Sequence, residues 1–125
     1  MTRIIVVAAG GALGAVARYL LTAGLHRAWP GPFPIGTTTV NLAGGLAIGL
    51  LAGVLAVRDG GADHHLALFL MDGVCGGFTT FSAFSLETVR LVHSGAAVTA
   101  IAAVMLQVGG TLVATLVGLW LARQF

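Results

Sequence analysis

Four apolar runs, at about residues 4–25, 36–57, 66–91 and 96–122, take up nearly the whole chain. Each is long enough to carry a helix across a hydrocarbon core, which needs about 20 residues. Lipid offers the backbone no hydrogen-bonding partner, so a spanning segment must pair its own N–H and C=O groups, as helices and closed barrels do. Continuous runs of this length predict helices. Only 8% of the 125 residues are charged, where soluble domains carry about 25%. The expected fold is therefore all-α and integral to the lipid bilayer, with residues 1–125 forming a single four-span domain.

The same composition excludes other classes. Six Arg and no Lys against four acids are too few and too scattered for a nucleic-acid surface, so no nucleic-acid partner is expected. The single Cys75 forbids an internal disulfide and reads as a small buried apolar residue. The first run has no small-residue cleavage site behind a short apolar stretch, and reads as a true span rather than a removed signal. Four short helices cannot enclose a water-filled pore and also bury their own polar faces. With 19 Gly residues available for close helix contact, an oligomer is expected.

Gly10 and Gly14 on the first span make a small-xxx-small pair, extended by Ala15. Arg18 follows one turn later, and either snorkels to the interface or stands as a cation at a vestibule. The connector from His26 to Pro34 holds all three prolines, with Trp29 as an interfacial anchor. On the second span Gly45, Gly49 and Gly53 recur at four-residue steps, and Asn41 and Thr37 continue the stripe. Asn41 there serves equally as interhelical glue or as a ligand to something passing through. The loop from Arg58 to His65 carries most of the solvated charge. Its adjacent His64 and His65 do not share a helical face and read as solvated rather than metal-binding. On the fourth span Gln107, Thr111 and Thr115 stand at i, i+4 and i+8, one polar stripe that calls for a polar partner or a pore.

The third span contains the stretch that departs most from a plain membrane helix, Gly73 to Ser85. The pair Gly76-Gly77 weakens a helix at that point, and Thr79 and Thr80 offer hydroxyls. The sequence thus predicts a third helix broken mid-membrane, with irregular backbone that must be buried in protein or line water. Phe78, Phe81 and Phe84 share roughly one face if the helix resumes, with Ser82 and Ser85 beside them. Asp72 and Glu87 read as helix-end or interfacial carboxylates; placed deeper, either would pair with Arg18 or Arg90 or bear on an ion pathway.

Four spans put both termini and the second loop on one side, with Arg3, Arg58 and Arg123. The other side has Arg27 and Arg90, and Arg18 if it snorkels that way. The bias that normally orients a membrane protein is nearly absent. A chain with so little bias is expected to insert both ways, and an antiparallel pair would bring the two third-span breaks together. The residues near the break are neutral donors and aromatics. Amide N–H and hydroxyl groups suit an anion, and so does the positive rim of a Phe ring. The carbonyls freed by the break suit a hard monovalent cation. A rival of another class, a small dual-topology proton-coupled exporter of cations or drugs, shares the length and balanced charge but requires Asp72 or Glu87 to be deep.

Gly10-Gly11-Ala12-Leu13-Gly14-Ala15 with Arg18-Tyr19, then Gly36-Thr37 and Val40-Asn41, then Gly76-Gly77-Phe78-Thr79-Thr80-Phe81-Ser82-Ala83-Phe84-Ser85, closely resemble the Fluc/CrcB fluoride channels. The resemblance runs through all four spans in order, and the Gly-Gly-x-Thr-Thr-Phe-Ser-x-Phe run is its specific part. It implies a multi-pass protein of the cell inner membrane that passes fluoride as a dual-topology antiparallel homodimer, with no catalysis. It further implies a structural Na⁺ at the dimer centre, held by the backbone carbonyls of Gly76 and Thr79. Fluoride would pass Phe81 and Phe84, with Asn41 as polar neighbour, Ser82 nearby, Thr111 and Thr115 as a polar track, and Arg18 at the vestibule. Phe78 and Gln107 depart from the family pattern.

Overall fold

The computed structural model describes residues 1–57 and 64–124. Arg58, Asp59 and Asp63 of the charged loop lie outside the described residues, and with them one member of the Arg tally. Helix α1 spans Thr2–Ala28 and α2 spans Ile35–Val57. The third crossing is composite: α3 (His64–Ala67), a π-helical stretch Leu68–Cys75, α4 (Gly76–Phe78) and, after a two-residue gap, α5 (Phe81–His93). The last helix, α6, spans Ala97–Ala122. Four helical segments, Thr2–Ala28, Ile35–Ala56, His64–His93 and Ala97–Ala122, are long and apolar enough to cross a membrane. The described residues contain no strand.

Local chemistry explains the ends. Trp29, at φ −131° and ψ 77°, leaves the helical region because Pro30 crowds the residue before it. Helix α2 begins directly after Pro34, whose fixed φ suits a helix start. Helix α5 stops at Gly95, where φ is +82°, a conformation that disfavours any residue with a Cβ. The Gly95 N–H then bonds Val92 O and the Ala96 N–H bonds Leu91 O, which satisfies two carbonyls of the last turn. The turn brings α6 back against α5, where Leu91, Ala100 and Ala103 form a small core with Phe33 and Ala96.

Two helix pairs organise the molecule, α1 with the third crossing and α2 with α6. Both use the small-residue stripes of the sequence. A Cβ on Gly10 would strike Phe69 O and Gly73 Cα, and one on Gly14 would strike Val74 O and Phe78 N. Likewise, Cβ atoms on Gly45, Gly49 and Gly53 would strike Thr111, Thr115 and Ala122 of α6, and one on Gly118 would strike Leu46 O and Leu50 N. Backbones approach this closely in lipid because packing, not water exclusion, drives helix association there. Large apolar side chains point outward instead, as with Ile4, Val98 and Trp120, which suits a lipid surrounding.

Candidate functional site

The third crossing breaks at Thr79 and Thr80, both extended, with ψ 160° at Thr79 and φ −153°, ψ 120° at Thr80. The Gly76-Gly77 pair sits just before the break and is itself helical. A Cβ on Gly77 would strike the Gly11 carbonyl, so this glycine serves close packing against α1. The break has another cause, Asn41 of α2. Its side chain accepts from the Thr80 N–H at 2.9 Å and donates to the Thr80 carbonyl at 3.0 Å. One amide thus takes both backbone groups of a residue that an unbroken helix would have paired internally. Thr80 then starts α5: its hydroxyl accepts from the Ala83 N–H at 3.2 Å, a side-chain N-cap.

Asn41 also donates to Gln107 Oε1 of α6 at 2.9 Å. Three elements therefore meet on one amide, and in this fold Asn41 is interhelical glue. The orientation is fixed by chemistry: the carbonyl end must face the Thr80 N–H, so the NH₂ end faces the Thr80 carbonyl and Gln107.

Around this junction α2, the break and α6 border an open cavity of about 410 Å³. Asn41, Thr79, Thr80, Phe81 and Phe84 line one part of it, and Gln107, Thr111 and Thr115 line another. The polar stripe of the fourth span thus faces a single space. Thr115 Oγ1 is occupied, donating to the Thr111 carbonyl at 2.9 Å. Gln107 Nε2 and Thr111 Oγ1 are buried and have no hydrogen-bond partner. Unmet buried donors are rare in folded proteins and mark places where a ligand or water belongs.

Phe81 and Phe84 meet at 5.2 Å between ring centroids, tilted by 56°. Phe84 is buried at 8% exposure while Phe81 stands 76% exposed, and both line the cavity. Phe78 lies before the break and does not continue their row, because two extended residues intervene. Ser82 is off the cavity lining, its hydroxyl 3.2 Å from Thr80 Oγ1. Arg18 also lies off it, half-buried on α1, where its carbonyl accepts from the Thr22 hydroxyl. Cys75 is buried, as expected, and lines the cavity.

The carboxylates part company. Asp72 is exposed on the π-helical stretch. Glu87 is half-buried and its Oε1 accepts from the Thr37 hydroxyl at 2.8 Å, while Oε2 is buried without a partner. Its neighbour is a Thr of α2 rather than Arg18 or Arg90. Sequence reading named these residues but not the Thr37–Glu87 pairing or the N-cap role of Thr80. The stripe that placed Thr37 beside Asn41 held the signal for the first, and the N-cap pattern at Thr80 held it for the second.

The break also releases main-chain oxygens. In a continuous helix Gly76 O would take the Thr80 N–H and Thr79 O the Ala83 N–H. Those donors go instead to Asn41 and to the Thr80 hydroxyl. The Gly76 and Thr79 carbonyls thereby lose the N–H partners that a continuous helix would give them. Among the described residues no cluster of His, Cys, Asp and Glu could hold a metal ion.

Fold and site together define a small four-helix membrane protein with one crossing broken beside a cavity that carries unmet donors. A family model described as CrcB-like protein, Camphor Resistance (CrcB), matches residues 5–119, and the chain belongs to this family. It is 47% identical over 124 residues to the fluoride-specific ion channel FluC of Caulobacter sp. (strain K31), covering 99% of this chain and 97% of that one. It is 50% identical over 117 residues to the protein of the same name from Paracoccus denitrificans (strain Pd 1222), covering 94% and 91%. A third FluC, from Roseobacter denitrificans, is 48% identical over 125 residues, covering 98% and 97%.

Proposed function

We propose that this chain is a fluoride-selective passive channel that relieves fluoride toxicity by letting the anion leave the cell. The observation that carries the reading is the cavity beside the broken crossing, where buried neutral donors and two phenylalanines meet and no fixed cation traps an anion. Near-full-length identity to proteins named fluoride-specific channels supports the choice of ion. Hydrogen fluoride crosses bilayers as the neutral acid and ionises in a less acidic cytoplasm. The membrane potential then drives the anion out, at about 2.3 kcal/mol per charge per 100 mV. Fluoride moves along Phe81, Phe84, Thr111 and Thr115, with Asn41 in the wall. Ser82 and Arg18 act further out along the route. The compromise between entering and leaving is met by donors and ring edges that hold an anion without a full opposing charge.

The functional unit in this reading is an antiparallel homodimer. The near-even Arg distribution supports it, and so do the freed carbonyls of Gly76 and Thr79, two per subunit. Na⁺ at the dimer centre would be held by these carbonyls, adding a positive charge near the anion routes. The test is ion efflux from liposomes holding the purified protein, driven by a K⁺/valinomycin potential. Fluoride efflux without chloride efflux is expected. Equal efflux of both ions, or none from a folded protein in Na⁺, would refute the reading.

A further inference from the structure

We infer that the end of the molecule built by the connector between α1 and α2 binds an anionic phospholipid. An acyl chain lies in the groove beneath the connector, and the headgroup phosphate meets Arg27. Leu25 and Ala28 of α1, Trp29 and Phe33 of the connector, and Ile35 and Thr39 of α2 line an open space of about 620 Å³, a size that suits an organic ligand. This groove shares no residue with the ion cavity, so lipid binding there is independent of the fluoride reading. Three prolines within five residues keep the connector out of helix, and the gap between the two helix ends stays unfilled.

Depth in the bilayer points to lipid. Helix α1 has 27 residues, which gives it a length of about 40 Å, as much as a bilayer with its headgroups. Its last turn therefore lies at headgroup level. From there the lining runs one turn inward, to Leu25 on α1 and Thr39 on α2, the direction an acyl chain takes. Trp29 stands 64% exposed and sets an indole N–H where Trp commonly meets headgroups.

Charge selects the kind of lipid. His26 and Arg27 occupy the last turn of α1 and are exposed. Phe33 packs on the core of Leu91, Ala100 and Ala103, which brings the end of α5 to the same place, and there Arg90 and His93 are exposed too. The acids among the described residues stand elsewhere. Glu87 is half-buried and bonded to Thr37, and Asp72 precedes the break, on the π-helical stretch. The connector end is thus basic, with no exposed carboxylate among the described residues. A zwitterionic lipid balances its phosphate with its own amine, whereas an anionic one offers net charge, a preference of about fivefold for one Arg near the surface.

The chain has two tryptophans, Trp29 and Trp120. Trp120→Phe, an outward-facing change near the far end of α6, leaves Trp29 as the reporter. In phosphatidylcholine liposomes, a small share of brominated phosphatidylglycerol should quench Trp29 about fivefold more effectively than the same share of brominated phosphatidylcholine. Arg27→Gln should bring the two lipids to parity. Ala28→Phe fills the groove, keeps every cation, and should also abolish the preference. Equal quenching by both lipids before these changes would overturn the proposal. So would a preference that survives Ala28→Phe, since the cations alone would then account for it. Absence of quenching by either lipid would mean that a second copy covers the groove, and would overturn it too. Native mass spectrometry of the wild type, which needs no variant to fold, should find one phosphatidylglycerol retained per subunit after extraction from mixed-lipid membranes; bare protein would contradict the assignment.

Discussion

The two main helix seams use the same sequence device and end up differently. Between α1 and the third crossing, glycines face glycines and main chain: Gly10 meets Gly73, Gly11 meets Gly77, and Gly14 meets Val74. That seam is closed by backbone on backbone. Between α2 and α6 the glycines of α2 face threonines, with Gly45 against Thr111 and Gly49 against Thr115. There the seam opens, level with Asn41, into the cavity with its unmet donors. Regular Gly spacing thus announces a close approach, while the residues opposite decide whether the seam is sealed or able to receive an ion.

The comparison breaks most completely at the glycines. Gly14→Val and Gly49→Val each drive a side chain into a backbone carbonyl, and overpacking typically costs about 1–3 kcal/mol, more where main chain cannot move. Both should abolish monodisperse protein by size-exclusion chromatography. Gly109→Ala, with nothing near its Cβ position, should be neutral or stabilise by up to about 1 kcal/mol.

Asn41→Asp comes next. It sets a carboxylate oxygen against the Thr80 carbonyl and Gln107 Oε1, where an NH₂ now donates. A loss of about 1–3 kcal/mol in detergent melting should accompany loss of fluoride efflux. Phe81→Ile and Phe84→Ile sharpen the contrast within the open seam. The buried Phe84 should lose stability, by about 1–3 kcal/mol; the exposed Phe81 should lose efflux with its melting temperature unchanged.

The smallest effect on stability is the most telling. Thr111→Val replaces a hydroxyl that is buried and unpartnered by an apolar group of the same shape. Such a change is nearly neutral or stabilising, so melting should hold or rise by up to about 1 kcal/mol while fluoride efflux falls severalfold. On the proposal that the Gly76 and Thr79 carbonyls hold Na⁺, replacing Na⁺ by a large organic cation should reduce fluoride efflux in the same liposome assay.

The crossings were readable because a run of apolar residues is a local property, and the Gly stripes because helical periodicity is local too. Pro30, Pro34 and Gly95 likewise set their ends from next-door chemistry. The break was only partly readable. The Gly pair drew attention to the right place for an incomplete reason, since those glycines are helical and the extended residues are Thr79 and Thr80. What holds them extended is Asn41, 39 residues away along the chain. The Thr37–Glu87 bond spans 50 residues and was hidden for the same reason. The π-helical stretch Leu68–Cys75 reads in sequence as ordinary apolar helix. Gln107 stood out as polar, but its free donor exists only once Asn41 has claimed its oxygen.

The most direct test of a passive fluoride pathway is the reversal potential of current through the protein in a planar bilayer under a tenfold fluoride gradient. The account predicts a reversal near the fluoride equilibrium potential, about 59 mV in magnitude for one charge, unmoved by an imposed pH gradient and by chloride. A reversal potential that follows the pH gradient would mean proton-coupled transport through a carboxylate such as Glu87, and would contradict the account.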